Sequence, residues 1–121
     1  MGLDQWVYFY NGNQPHSKLN FEVKDGSAKE LFYWRKHYKL DEYMLRLYEY
    51  YGGINEFNCQ KIFLGIENIN NLKEEILNNK FFDDELNLED NEKQKTDDLK
   101  FCELAIKKMN ENFKIYYTNW W

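Results

Sequence analysis

The sequence predicts a small α+β domain, a sheet of aromatic-rich strands packed against one long central helix and two shorter helices. Three observations predict it. Ring-rich runs stand at both ends, "DQWVYFY" (4–10) and "FKIYYTNWW" (113–121), and read as strands. Between them, apolar residues recur at helical spacing in three separate stretches. Finally, 121 residues that are 43% hydrophobic and 31% charged suit one globular domain over 1–121, not a disordered chain. Rings make up 19% of the chain, so the core is expected to be aromatic, with hydroxyl and indole N–H groups needing partners.

The first strand, 4–10, runs into the turn cluster "NGNQPHS". A second strand is expected in "KLNFEVKDG" (18–26), closed by Asp25-Gly26. Ser27-Ala28-Lys29-Glu30 has the pattern of a capping box and opens the long helix, 27–51. Tyr33, Leu40, Met44, Leu47 and Tyr51 form its apolar stripe, widened by Trp34, Tyr38, Leu45 and Tyr48, and Gly52-Gly53 stops it. "FNCQKIFLG" (57–65) supplies a short strand, and "NINNLKEEILNN" (68–79) a short helix with Ile69, Leu72 and Ile76 inward. "FFDDELNLEDNE" holds Asp83, Asp84, Glu85, Glu89, Asp90 and Glu92 without a basic residue, and reads as an acidic loop at about 81–95. Thr96-Asp97-Asp98 then starts a helix with Leu99, Cys102, Ile106 and Met109 inward. The order is β-β-α-β-α-α-β. The two terminal strands are expected to be adjacent, because each needs a hydrogen-bonded neighbour.

Composition argues against several chemistries. The two histidines, His16 and His37, stand in no zinc spacing, and the chain has neither a Gly-rich phosphate loop nor a serine elbow. Cys59 and Cys102 are expected to be buried structural thiols. The acidic run lacks the glycine of a calcium loop. No cofactor, metal or catalytic residue is therefore expected. No signal-peptide pattern or membrane-length apolar run is present, which points to the cytoplasm and reduced thiols.

What remains is binding. On the expected long helix, Arg35, Lys36, Lys39 and Arg46 could meet phosphates while Tyr33 and Trp34 stack on bases. A sequence pI near 5.1, with Asp41, Glu42 and Glu49 interrupting the same helix, argues against direct nucleic-acid binding. The plainer reading has Trp34 in the core and Arg35 and Lys36 covering apolar surface with their stems. Residues 67–98 carry eleven Asp/Glu against four Lys/Arg, while the rest is near balance. Such a surface can imitate nucleic-acid phosphates and steer a basic partner. The candidate partner-binding residues are Tyr33, Arg35, Lys36 and Lys39 on the helix, with Asp83, Asp84, Glu85, Glu89 and Asp90 in the acidic loop.

Four short segments carry a resemblance: Met1-Gly2-Leu3-Asp4, Tyr33-Trp34-Arg35-Lys36 followed by Leu40 and Tyr43, Asn58-Cys59, and Tyr116-Tyr117 with Trp120. Through them the chain resembles a family of small, largely uncharacterised proteins of bacteriophages and prophages. It departs from that pattern at Tyr38 and Asp41, where such relatives often carry Asn and His. The resemblance implies a phage or mobile-element accessory gene. The expected function is an inhibitor of a bacterial defence system, anti-CRISPR-type, that binds a host effector in the bacterial cytoplasm without catalysis and blocks its nucleic-acid site. The alternative is an accessory enzyme or nucleotide- or nucleic-acid-binding domain using the Tyr-Trp-Arg-Lys element.

Overall fold

The computed structural model describes residues 2–24 and 26–121. In it the expected α+β architecture is present, with the order β1 (Asp4–Tyr10), β2 (Lys29–Arg35), α1 (Tyr38–Tyr50), β3 (Ile62–Leu64), α2 (Ile66–Leu77), α3 (Leu88–Asn110), β4 (Lys114–Trp120). The strands form one antiparallel sheet in the order β2-β1-β4-β3. The terminal strands are adjacent, as expected, and pair along their whole length from Asp4 opposite Trp120 to Tyr10 opposite Lys114.

The period of two along each strand sorts the side chains. Gln5 and Val7 on β1, Trp34 on β2, and Ile115, Tyr117 and Asn119 on β4 are buried. The apolar members of this set pack with Leu40 and Met44 of α1, Ile69, Leu72 and Ile76 of α2, and Phe101, Cys102 and Ala105 of α3 in one core. A smaller ring cluster, Tyr10, Phe21, Phe63 and Tyr116, fills part of the opposite face, with Tyr8, Val23 and Ala28 packed against it. The connection from β1 to β2 thus covers one half of that face. Trp6, Tyr33 and Trp120 stand on the other half, the latter two 43% and 61% exposed.

Three expected elements are different. The segment 18–26 is not a strand: only Leu19 bridges Ile62, and Phe21 works as a ring plug. Asp25 of that segment lies outside the described residues. The long helix does not begin at residue 27, because Lys29–Arg35 is β2 and α1 starts at Tyr38. Four consecutive large apolar residues, Leu31 to Trp34, satisfy a helical and a strand period equally. The tie is broken outside the segment: β1 has a second edge whose backbone groups need partners, and β2 supplies them. Ser27 caps nothing and donates instead to the Lys24 carbonyl at 2.6 Å.

The long helix is α3, and it begins within the segment expected to be an acidic loop. Asn87 caps it by accepting from the Asp90 amide at 2.7 Å, so Glu89 and Asp90 sit in its first turn where the helix dipole favours them. Thr96 is mid-helix, its hydroxyl bonded back to the Glu92 carbonyl. Cys102 is buried as expected, but Cys59 is exposed, in a turn with φ of 61°. No helix among the described residues is long and apolar enough to cross a membrane.

Because Trp34 is core and Arg35 is surface, their replacement by alanine should separate cleanly. Trp34→Ala is expected to cost about 3–5 kcal/mol. Arg35→Ala should cost under about 1 kcal/mol, since its ion pair with Asp4 is long, at 3.9 Å, and lies at the surface. Urea midpoints of the two variants check both, and similar losses would contradict the strand assignment.

Candidate functional site

The strand register brings Leu3-Asp4, Tyr33 to Lys36 and Trp120 together at one end of the sheet, whereas Tyr116 lies in the ring cluster on the other half. Asp4 stands opposite Arg35 on one side and Trp120 on the other. Its carboxylate accepts from the Tyr33 hydroxyl and lies 3.9 Å from the Arg35 guanidinium. That bond raises the pKa of the Tyr33 hydroxyl. Gly2 lies directly under the guanidinium: a Cβ there would stand 2.6 Å from an Arg35 nitrogen. Trp121 closes the same end. Its amide donates to the Asn58 side chain at 3.0 Å and its indole N–H to the Phe57 carbonyl at 3.0 Å.

Below this surface runs a buried polar chain. Asp98, 2% exposed, accepts from the Trp34 indole N–H at 3.0 Å and lies 2.7 Å from His37 Nε2. His37 caps α1, its Nδ1 accepting from the Leu40 amide at 3.3 Å. An accepting Nδ1 carries no proton, so the proton sits on Nε2 and is donated to Asp98. Gln5 continues the chain: its side chain accepts from the His37 amide at 2.8 Å and donates to the His37 carbonyl at 2.9 Å and the Tyr117 hydroxyl at 3.1 Å. Tyr117 and Asn119 both donate to one oxygen of Asp41, each at 2.7 Å. The His–Asp pair resembles half of a catalytic triad; both imidazole nitrogens are engaged, one by the Leu40 amide and one by Asp98, so the ring ties α1 to α3 at the base of the cleft between β2 and α3. Burial pushes the Cys102 thiol up to about 12, which leaves it un-ionised.

The candidate binding residues fall into two groups. Tyr33 and Arg35 line an open cleft of about 390 Å³ whose far wall is the start of α3, with Leu86, Asp90, Lys93, Gln94 and Asp97. Asp90 thus joins Tyr33 and Arg35 at one site. Lys36, Lys39, Asp83, Asp84, Glu85 and Glu89 do not line it. Lys36 is exposed just beyond β2 with φ of 58°, its amide held by the Leu3 carbonyl at 2.7 Å. Lys39 is half-buried and lies 4.0 Å from Glu42. The acidic turn at 83–87 is fastened to α3, not loose. Buried Asn91 accepts from the Asp83 amide at 2.9 Å and donates to the carbonyls of Asp83, Leu86 and Asn87.

Asp4, Asp97 and Asp98 were not among the expected site residues. Asp98 was legible in principle, since it sits three, four and seven positions before buried Phe101, Cys102 and Ala105. A carboxylate on an apolar stripe asks for a buried partner. Among the described residues no group of three or more His, Cys, Asp or Glu is placed to hold a metal ion. Comparison of the chain with protein-family models, curated proteins and solved structures finds no match.

Burial raises the Asp41 pKa above its usual value, against the lowering effect of the bonds from Tyr117 and Asn119. Between its unfolded and folded values the folded state binds more protons, so its contribution to stability is lost as pH rises through that window. Asp41→Asn keeps an oxygen for both donors and removes the charge. It should abolish that part of the pH dependence and match or exceed wild-type stability at pH 7. Asp41→Ala should instead cost about 1–3 kcal/mol by stranding buried donors. Unfolding midpoints at acidic and neutral pH decide; an Asp41→Asn loss equal to that of Asp41→Ala would contradict the reading.

Proposed function

We propose that the protein works by binding and not by catalysis, as an accessory protein of a phage or other mobile element. In this reading it is an anti-CRISPR-type inhibitor in the host cytoplasm. It occupies a basic site on a defence effector, where its carboxylates take the place of nucleic-acid phosphates. The observation that carries the reading is the cleft between β2 and α3, bordered by Tyr33 and Arg35 on the strand and by Asp90, Lys93 and Asp97 on the helix. The acidic turn extends that charge outward: residues 83–98 hold eight Asp/Glu against two Lys. The resemblance to phage proteins supplies the setting and the class of partner.

The exposed rings Tyr33 and Trp120, with half-buried Trp6 between them, offer stacking faces for bases, which favours the alternative of direct nucleic-acid binding. Asp4 and Glu30 stand on the same face, and on the cleft wall Lys93 is paired with Asp97 at 3.8 Å and leaves Asp90 free of that pair, so a phosphate backbone would find no excess of positive charge on either side. A basic protein surface suits these charges better.

The partner retained from host lysate on tagged protein provides the test. Neutralising Asp83, Asp84, Glu85, Glu89 and Asp90 to Asn and Gln should slow its association much more than it speeds dissociation. The wild-type rate should fall steeply as the Debye length shrinks from about 10 Å at 0.1 M salt to about 3 Å at 1 M. Glu89 and Asp90 lie in the first turn of α3, so their neutralisation also costs about 0.3–1 kcal/mol each. Guide or target nucleic acid should compete with the protein for the effector. An association rate indifferent to salt and to the five substitutions would remove the acidic surface from the mechanism.

A further inference from the structure

The two edges of the sheet are treated differently. The outer edge of β3 is covered: the Phe63 amide donates to the Lys18 carbonyl at 2.8 Å, and the Asn20 amide to the Lys61 carbonyl at 3.0 Å. The outer edge of β2 has no such cover among the described residues. The Lys36 amide bonds to the Leu3 carbonyl, which makes that pair a hydrogen-bonded position of the ladder. Alternation then turns the backbone of Trp34 and Phe32 toward β1, and leaves the N–H and C=O of Tyr33 and Arg35 pointing outward. These groups have no protein partner among the described residues.

Open edges are normally blunted by charge, bulges or cover. Here the first half of β2 is blunted, with Lys29 and Glu30 at its start and a register shift opposite Val7 and Tyr8. The second half, Tyr33 to Arg35, is regular, its one charge, Arg35, is drawn over the sheet toward Asp4, and it is the half that borders the cleft.

We infer that the β2 edge from Tyr33 to Arg35 takes up an extended segment of a partner protein as a fifth strand, one with Lys or Arg at every second position. This deepens the proposed binding reading and rests on it. In such an added strand, alternate side chains point to opposite faces. Those on the helix side enter the cleft and meet Asp90, and beyond it Asp97, which shares its charge with Lys93 at 3.8 Å; a long basic side chain can lay its stem along Leu86. A second copy of this chain fits worse, because pairing β2 with β2 would bring two acidic α3 walls together.

The probe is a short end-blocked peptide with lysine at every second position and valine or threonine between, compared with the same residues carrying the lysines in one block. On isotope-labelled protein, the alternating peptide should shift and protect the Tyr33 and Arg35 amides and bind about tenfold tighter than the block peptide. Arg35→Pro removes an outward N–H without touching the β1 ladder, a position where an edge strand tolerates proline. It should abolish peptide binding and retention of the host partner, whereas Arg35→Ala keeps the N–H and weakens both less. Equal effects of proline and alanine would overturn strand addition while leaving the Arg35 surface in place. Indifference of the host partner to both would overturn the surface itself. Should Arg35→Pro fail to fold, protection of the two amides in the wild-type protein decides alone: unchanged exchange with saturating peptide refutes the inference. A concentration-dependent dimer that protects the same amides would assign the edge to a second copy and refute it too.

Discussion

The arrangement depends on one buried carboxylate. Asp98 of α3 holds the Trp34 indole at the end of β2 and the His37 ring at the start of α1, so the β2–α1 junction is tied by two oxygens to a helix more than sixty residues away. Removing a charge from water is costly, and this one is offset by two good donors in place of water. Because His37 also caps α1, and Gln5 grips both the amide and the carbonyl of His37, the tie extends into β1 and on to Tyr117, Asp41 and Asn119 of the helix and the last strand. A core made of rings packs well but specifies register weakly. The polar chain through it gives the strand ends a single registration.

From this clamp follows the division of labour within Tyr33-Trp34-Arg35-Lys36. In a strand, neighbours face opposite ways, so clamping Trp34 inward places Tyr33 and Arg35 outward. Asp4 on the adjoining strand and Gly2 just before it then fix where those two side chains lie. Leu3-Asp4, Tyr33 to Lys36 and Trp120 are thus one unit in space. Half of that unit is structural support, and half is exposed surface beside an acidic wall.

Much of this was readable in the chain. The terminal strands, the short helix around Leu72, the core places of Trp34 and Cys102 and the acidic bias all follow from local pattern, because each has a clear period or composition. What was not readable depended on distant partners. Leu31 to Trp34 fits either period until the second edge of β1 is known. The start of α3 was hidden because Asn87, Glu89 and Asp90 look equally like a solvated loop and like the capped first turn of a helix. Cys59 misled for a related reason: "FNCQKIFLG" reads as one strand, yet only its last apolar residues pair with β4. The joining of Asp90 to Arg35 at one cleft needed the clamp, which no local pattern shows.

The central claim is that Tyr33 to Lys36 is the exposed end of an edge strand and not the first turns of a long helix. Amide hydrogen exchange of the free protein tests it residue by residue. The account predicts alternation: the amides of Phe32, Trp34 and Lys36, turned into the ladder, exchange slowly, while those of Tyr33 and Arg35, turned outward, exchange fast. Uniform protection running unbroken from residue 29 into α1 would contradict it, and with it the cleft, the open edge and the function proposed for both.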